Sequence, residues 1–285
     1  MNYKDMWHEI NVLSLFDGIS CGQIALERAG YKIKQYFASE IKPHAIKCTQ
    51  SNYPNTIQLG DVSNIRGSDL PEIDLLMGGS PCKGISKLNK NRDGLKHSES
   101  KLFWEYVRIL KEVKPKYFLF ENVVGNREST KIITEALKVS PILINSKLVS
   151  AQNRLRYYWT NISMIKLPDD KNITTADVID YSGKIVDECR VRWLMSESGK
   201  RSIAKGYTKI NPYPKAGCLT ASGHKTWNEN YLFKDGVYLH LSQTELEKLQ
   251  TLPIGYTKML SYDEAYDCIG DGWTVDVIVH IISHM

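Results

Sequence analysis

Several features that would assign a chain quickly are missing from this 285-residue sequence. No run approaches the roughly 20 apolar residues that span a bilayer. The first ten residues, MNYKDMWHEI, are polar and hold no signal-peptide core. The expectation is an intracellular, cytoplasmic protein with no membrane partner. Six cysteines are present (Cys21, Cys48, Cys82, Cys189, Cys218 and Cys268), but none forms a C-x-x-C pair. A zinc site is therefore not expected, and scattered cysteines in a cytosolic chain read as reduced thiols. No G-x-G-x-x-G fingerprint occurs, which argues against a dinucleotide. Internal repeats and low-complexity tracts are also absent. The charge is not strongly of one sign: a net +5 permits an anionic partner without demanding one.

What is present is an alternation of two patterns. Apolar runs at residues 11–16, 33–39, 73–77, 117–120 and 142–149 read as strands. Helical patterns lie between them, at residues 22–29, 43–52, 100–113 and 129–139, with Gly30 placed as a left-handed C-terminal cap. Such alternation predicts an α/β fold, a mostly parallel sheet with helices on both faces. The pattern weakens after residue 167. The expected organisation is a catalytic or cofactor domain over 1–167, a small irregular region over 168–240, and a C-terminal segment over 241–285 that returns to the first domain. Ser242 and Glu245 form a capping box that reads as an ordinary surface helix start. The last segment, GDGWTVDVIVHIISHM, reads as an apolar helix or strand after a tight glycine turn.

Ligands of such sheets sit beyond the carboxyl ends of the strands, and four motifs fall at those ends. LFDGISCG, residues 15–22, is a glycine turn between a strand and a helix, which lets a ligand approach backbone and helix N-terminus. Glu40 follows Gly18 by 22 residues and ends the next strand, where an acid takes ribose hydroxyls; Asp61 ends the one after. This is a nucleoside-binding layout. Ser80-Pro81-Cys82 puts a thiol beyond a strand tip, where Cys82 reads either as a nucleophile or as a small packed residue. Glu121-Asn122-Val123 ends the strand YFLFEN with a poorly solvated carboxylate. In QNRLRY, an extended backbone would put Gln152, Arg154 and Arg156 on one face, facing an anion or a carbonyl-rich partner.

In this order the motifs resemble the cytosine-5 DNA methyltransferase family. The resemblance continues into LSQTELEKLQTLP and GDGWTVDVIVH and covers nearly the whole chain, least so residues 168–240. It looks closest to the branch that holds the animal de novo enzymes with related bacterial and phage ones. That branch shares Ser-Pro-Cys and a Gly-x-x-Trp-x-Val turn.

The resemblance implies an S-adenosylmethionine-dependent enzyme acting on double-stranded DNA, with S-adenosylhomocysteine as product and a flipped-out cytosine as target. It implies Cys82 as nucleophile toward C6, Glu121 at N3 and the amino group, Arg156 with Arg154 near O2, and Asn122 bracing the Cys82 loop. For the cofactor it implies Phe16 stacked on adenine, Asp17, Gly18, Ile19 and Gly22 in the turn, Glu40 and Ile41 at the ribose, Asp61 and Val62 at the adenine edge, Ser80, and Trp273, Thr274 and Val275 closing the site. DNA contacts are expected from Lys83, Ser86 and Lys87 in the basic loop 83–101, and from His224, Lys225 and Asn228 in HKTWNEN, the expected reading loop of a site of about two to four base pairs. Two other readings stay open, a tRNA cytosine-5 methyltransferase and an inactive DNA-binding regulator. Oligomeric state and recognition sequence are not legible.

Overall fold

The computed structural model describes residues 9–81 and 98–285. These group into two compact units. The first comprises the described residues up to Ile144, with Leu155–Leu167 and Ile278–Met285; the second comprises Asn145–Arg154 with Pro168–Val277. Of the C-terminal stretch that the sequence pattern groups together, only the last eight residues belong with the first unit.

The first unit is organised by a seven-stranded sheet, in the order β3-β2-β1-β4-β5-β7-β6. The strands are β1 (Ile10–Leu15), β2 (Ile33–Ser39), β3 (Ile57–Gln58), β4 (Leu75–Gly78), β5 (Tyr117–Val123), β6 (Ile142–Asn145) and β7 (Leu155–Thr160). Neighbours from β3 through β5 are parallel, and β7 enters antiparallel to β5. The sheet is thus mixed α/β and mostly parallel, as the alternation of patterns predicts. Strand order reverses direction about β1 and β4, the position where such sheets open a crevice for ligands.

Near-continuous apolar strands are what a sheet buried on both faces requires. Leu13, Leu15, Leu76, Phe120 and Trp159 form one core cluster with Tyr106 and Ile109 of the helix Ser98–Val113. Tyr106, fully enclosed, donates its hydroxyl to the carbonyl of Leu119, which resolves the polar end of a buried aromatic.

Several element ends differ from the sequence pattern for local reasons. Strand β5 runs on through Val123 because β7 continues the ladder, pairing Glu121 with Tyr158 and Val123 with Arg156. Strand β6 stops at Asn145, whose side chain accepts from the Lys147 N–H and turns the chain into a 3₁₀ turn. The helix Arg127–Leu137 starts two residues early because Asn126 caps it, accepting from Ser129 N–H.

The second unit carries a three-stranded sheet, β10 (Val237–His240), β9 (Asn230–Lys234) and β8 (Lys209–Ile210), in that order, with a small core of Val186, Leu194 and Tyr231. Its capping box forms, but not at the surface. Glu245 is fully buried and accepts from the N–H groups of Ser242, Asp180 and Tyr181. The segment after the glycine turn is a helix, Val275–Ile282. Among the described residues no helix is long and apolar enough to cross a membrane.

Candidate active site

Register aligns the carboxyl ends of four strands. Leu15 pairs with Ser39 on one side and Gly78 on the other, and Gly78 pairs with Phe120. The next residues along each strand are therefore Phe16 and Asp17, Glu40, Gly79 and Ser80, and Glu121. Motifs separated by over 100 residues of chain meet along one edge of the first unit.

The glycine turn is held in left-handed backbone conformations at Phe16, Gly18 and Ser20, with φ of 57°, 59° and 55°. For Phe16 and Ser20 this costs strain that glycine would not carry, and such strain collects at functional turns. Glu40 ties the turn down. One carboxylate oxygen accepts from Gly18 N–H at 2.9 Å, and the other accepts from Ile41 and Lys42 N–H at 2.7 and 2.9 Å. A carboxylate oxygen accepts two hydrogen bonds, so the one facing Gly18 keeps capacity for a ligand hydroxyl. Ile41 stands beside it 68% exposed, an apolar side chain offered to whatever binds there. Ile19 is buried beneath the turn, and a Cβ on Gly22 would collide with Met77 Sδ and the Tyr36 hydroxyl, so only glycine lets helix α1 (Cys21–Arg28) pack this close.

Asp17 is half-buried as a residue, with its carboxyl enclosed by Tyr36, whose hydroxyl donates to it at 2.8 Å, and by Ser20. Loss of solvent there pushes the carboxyl up to about 6, against the lowering effect of its hydroxyl donors. Tyr36 was not singled out by its motif context. A tyrosine in a strand buried on both faces needs a hydroxyl partner, and that rule points to it. Asp61 caps a 3₁₀ turn through Ser63, whose N–H and hydroxyl hold its carboxyl below the usual range; Val62 is buried in the core.

At β5, Glu121 and Arg156 lie diagonally across the β5–β7 ladder on one face. The Arg156 Nε stands 3.0 Å from the Glu121 carboxylate, with both side chains close to nine-tenths buried. Neighbouring Asn122 is buried and donates from Nδ2 to the carbonyl of Ser80 at 3.1 Å. It thereby fixes the chain two residues before Cys82. Cys82 itself, with Lys83, Ser86 and Lys87, lies outside the described residues.

Gln152, Arg154 and Arg156 of QNRLRY do not share a face. Strand β7 starts only at Leu155, and Gln152 and Arg154 belong to the interior of the second unit. The Arg154 guanidinium donates to the carbonyls of Leu219, Gly270 and Gly272 at 2.7–3.1 Å. Gln152 bonds Leu249 O, Gln250 Oε1 and Leu219 N. Arg154 is fixed among main-chain carbonyls, and only Arg156 meets Glu121.

Residues near the final helix are likewise internal to the second unit. The Thr274 hydroxyl donates to Gln250 Oε1 and accepts from Ser146, so its proton is committed within the second unit. Val275 is completely buried and Trp273 half-buried. In HKTWNEN, a short helix Gly223–Thr226 ends at a left-handed Trp227. His224 is buried, Lys225 is exposed and paired with Asp267 at 2.6 Å, and Asn228 accepts from the Ser202 hydroxyl. Of the three residues expected to read DNA, His224 is buried, and Lys225 and Asn228 are exposed.

Residues 10–163 match the family described as C-5 cytosine-specific DNA methylase. An orphan methyltransferase, M.SPRI of Bacillus phage SPR, is 37% identical over 163 residues, which cover 53% of this chain and 37% of that one. The chain spans about two fifths of the length of the phage relatives it matches. A type II methyltransferase of Fusobacterium nucleatum, M.FnuDI, is 27% identical over 96% of this chain and 93% of its own. The Entamoeba histolytica methyltransferase EhMeth superposes with a TM-score of 0.78 over 97% of this chain and 98% of that one, at 17% identity, a likeness of fold. Since the family match takes in more than half the sequence, including every strand of the main sheet, the chain belongs to the C-5 cytosine-specific DNA methylase family.

Proposed function

We propose that the chain transfers a methyl group to C5 of a cytosine turned out of double-stranded DNA, with Cys82 as nucleophile. One observation carries the reading. Glu121, paired with Arg156, stands at the strand-end row beside the turn of Glu40 and Gly18, while Asn122 of the same strand holds Ser80 ahead of Pro81-Cys82.

The chemistry asked of these residues is defined. A stacked cytosine hides its ring, so the base must leave the helix. The Cys82 thiolate then bonds to C6, and the electron pair of the C5–C6 double bond moves toward C5. Glu121 holds N3 and the exocyclic amino group as charge develops there, and Arg156 holds O2. Fixed groups aimed at developing charge typically supply a factor of about 10²–10³ each. S-adenosylmethionine, when bound, supplies the methyl group that C5 takes up. Removal of the C5 proton and expulsion of the Cys82 thiolate restore the aromatic ring.

The donor set at the glycine turn suits that cofactor. Glu40 retains acceptor capacity for a ribose hydroxyl, and Ile41, Phe16 and the Asp61–Val62 turn provide apolar and polar edges around it. Ser80 completes this proposed set in the first unit; Trp273, Thr274 and Val275, which the resemblance implies for the cofactor, belong to the second unit. In the second unit, Lys225 and Asn228 remain candidates for DNA contact, as do Lys83, Ser86 and Lys87, and this unit is proposed as the target-recognition region. Ser80-Pro81-Cys82 and the Gly270, Trp273, Val275 spacing support a place near the branch with the animal de novo enzymes. The test is transfer of tritiated methyl from S-adenosylmethionine to unmethylated duplex DNA. Wild type should label C5 of cytosine, and Cys82→Ser should not. Labelling by the serine variant at the wild-type rate would refute the assignment.

A further inference from the structure

The second unit contains a cavity of about 650 Å³ that the proposed reaction does not use. That volume lies in the range of sites for small molecules and cofactors. Its lining includes Arg190, His224, Trp227, His240, Tyr262 and Asp263.

Hydrogen-bond accounting singles out the same place. Ten buried side-chain nitrogen and oxygen atoms among the described residues lack a hydrogen-bond partner. Six of them belong here: Arg190 Nε, both ring nitrogens of His224, His240 Nδ1, Glu229 Oε2 and Asp267 Oδ1. They are held by longer charge contacts. His224 lies 3.6 Å from Asp267 and 4.0 Å from Asp263, while Glu229 lies between Arg190 and His240, 3.4 Å from the latter. Buried polar groups nearly always find partners, so exceptions gathered at one cavity need an explanation that scattered ones do not.

The lining chemistry narrows the ligand. A bare anion meets Asp263 and the carboxylates behind it, and a bare cation meets Arg190 with Lys184 and Lys225. Among the described residues no group of three or more His, Cys, Asp or Glu is placed to hold a metal ion. What fits is a flat, uncharged ring with donors and acceptors along its edge. Trp227 lines the cavity with the Arg190 guanidinium over its ring at 5.5 Å and Trp193 edge-on at 5.6 Å, a stack that a planar ligand can extend at the guanidinium plane. Base–aromatic stacking of this kind is a main source of affinity for unpaired nucleotides.

We propose that this cavity binds a nucleobase, carried by a DNA nucleotide turned out of the helix. The DNA source rests on the reading under Proposed function; the base-binding chemistry does not. Two measurements on the full chain separate them. In the first, deoxynucleoside monophosphates are titrated by ligand-observed NMR with S-adenosylhomocysteine at saturation. Wild type should bind them, and Trp227→Ala should weaken binding about tenfold or more. Asp263→Asn, at an exposed side chain where folding is not at risk, should weaken it severalfold. No binding, equal binding in both variants, or equal displacement by inorganic phosphate would overturn the proposal. In the second, a duplex carries 2-aminopurine beside the target cytosine. Its fluorescence should rise on binding wild type and rise less with Asp263→Asn. Free nucleotides that bind while 2-aminopurine stays stacked would overturn the DNA source. Nucleotide binding in a protein that methylates nothing would leave this site standing and remove the enzymatic reading.

Discussion

Arg154 and Arg156 are two residues apart in one motif, yet the two units of the molecule use them in opposite ways. In the first unit, Arg156 faces a carboxylate, Glu121, on a strand edge where the backbone is already satisfied by the sheet. In the second, Arg154 substitutes for missing regular structure and donates to three main-chain carbonyls that no strand or helix pairs. The same division runs through the acids. At the strand ends Glu40 accepts from three backbone N–H groups yet keeps capacity on the oxygen facing Gly18, and Glu121 meets Arg156, while Glu245 and Glu247 are enclosed with both oxygens engaged by loop donors. In a sheet-based unit the ladder satisfies most of the backbone, so side chains at strand ends can be arranged against one another, as Glu121 and Arg156 are. A unit short of regular structure needs polar side chains to satisfy its own backbone.

Substitutions can break this comparison, and the largest effect belongs to the first unit. Glu121→Gln should lower the rate of methyl transfer by about 10²–10³ with little change in the unfolding midpoint, read by tritium incorporation beside calorimetry. The two arginines should then separate cleanly. Arg154→Ala strands carbonyls at roughly 1–3 kcal/mol each and should lower the midpoint by at least about 5 °C. Arg156→Lys, which keeps a positive charge beside the buried Glu121 carboxylate, should leave the midpoint within about 2 °C and act on the rate. Equal thermal losses in both variants would dissolve the distinction. Next in size, Glu40→Ala removes acceptors from the glycine turn and should weaken S-adenosylmethionine binding about tenfold or more by titration calorimetry.

The smallest expected effect is a pH dependence. The Asp17 carboxyl is raised from 3.8 to about 6 by burial, so the folded state holds its proton more tightly than the unfolded state does. Stability from this group is therefore greatest below about pH 3.8, falls as pH rises toward 6, and is flat above. Asp17→Asn should remove that decline, flattening the unfolding midpoint between pH 4 and 6 (about the span of the two values). An unchanged slope would mean that Asp17 titrates as it does in water.

Legibility in the sequence followed the same division. The strand–helix alternation announced the main sheet, and parallel register then brings residues such as Asp17, Glu40 and Glu121 to one edge without further information. Residues 168–240 gave no such period, because their order depends on long-range side-chain to backbone bonds. Lys215, for instance, donates to the carbonyls of Lys147, Ser150 and Ile173, an arrangement with no local signature. Glu245 shows the limit most plainly. Its capping box is readable from Ser242, but its complete burial comes from Asp180 and Tyr181, over 60 residues away. The antiparallel entry of β7, which decides that Arg156 and not Arg154 meets Glu121, is also a tertiary fact.

The central claim is that the edge formed by Glu121, Arg156 and the chain leading to Cys82 performs covalent chemistry on cytosine. The most direct test incubates the protein and S-adenosylmethionine with duplex DNA containing 5-fluorocytosine, where fluorine cannot leave as a proton and the thiol cannot be expelled. A denaturation-resistant protein–DNA adduct joined through Cys82, absent with Cys82→Ser, is the predicted result. Failure to form an adduct, although unmodified DNA of the same sequence is methylated, would contradict the account.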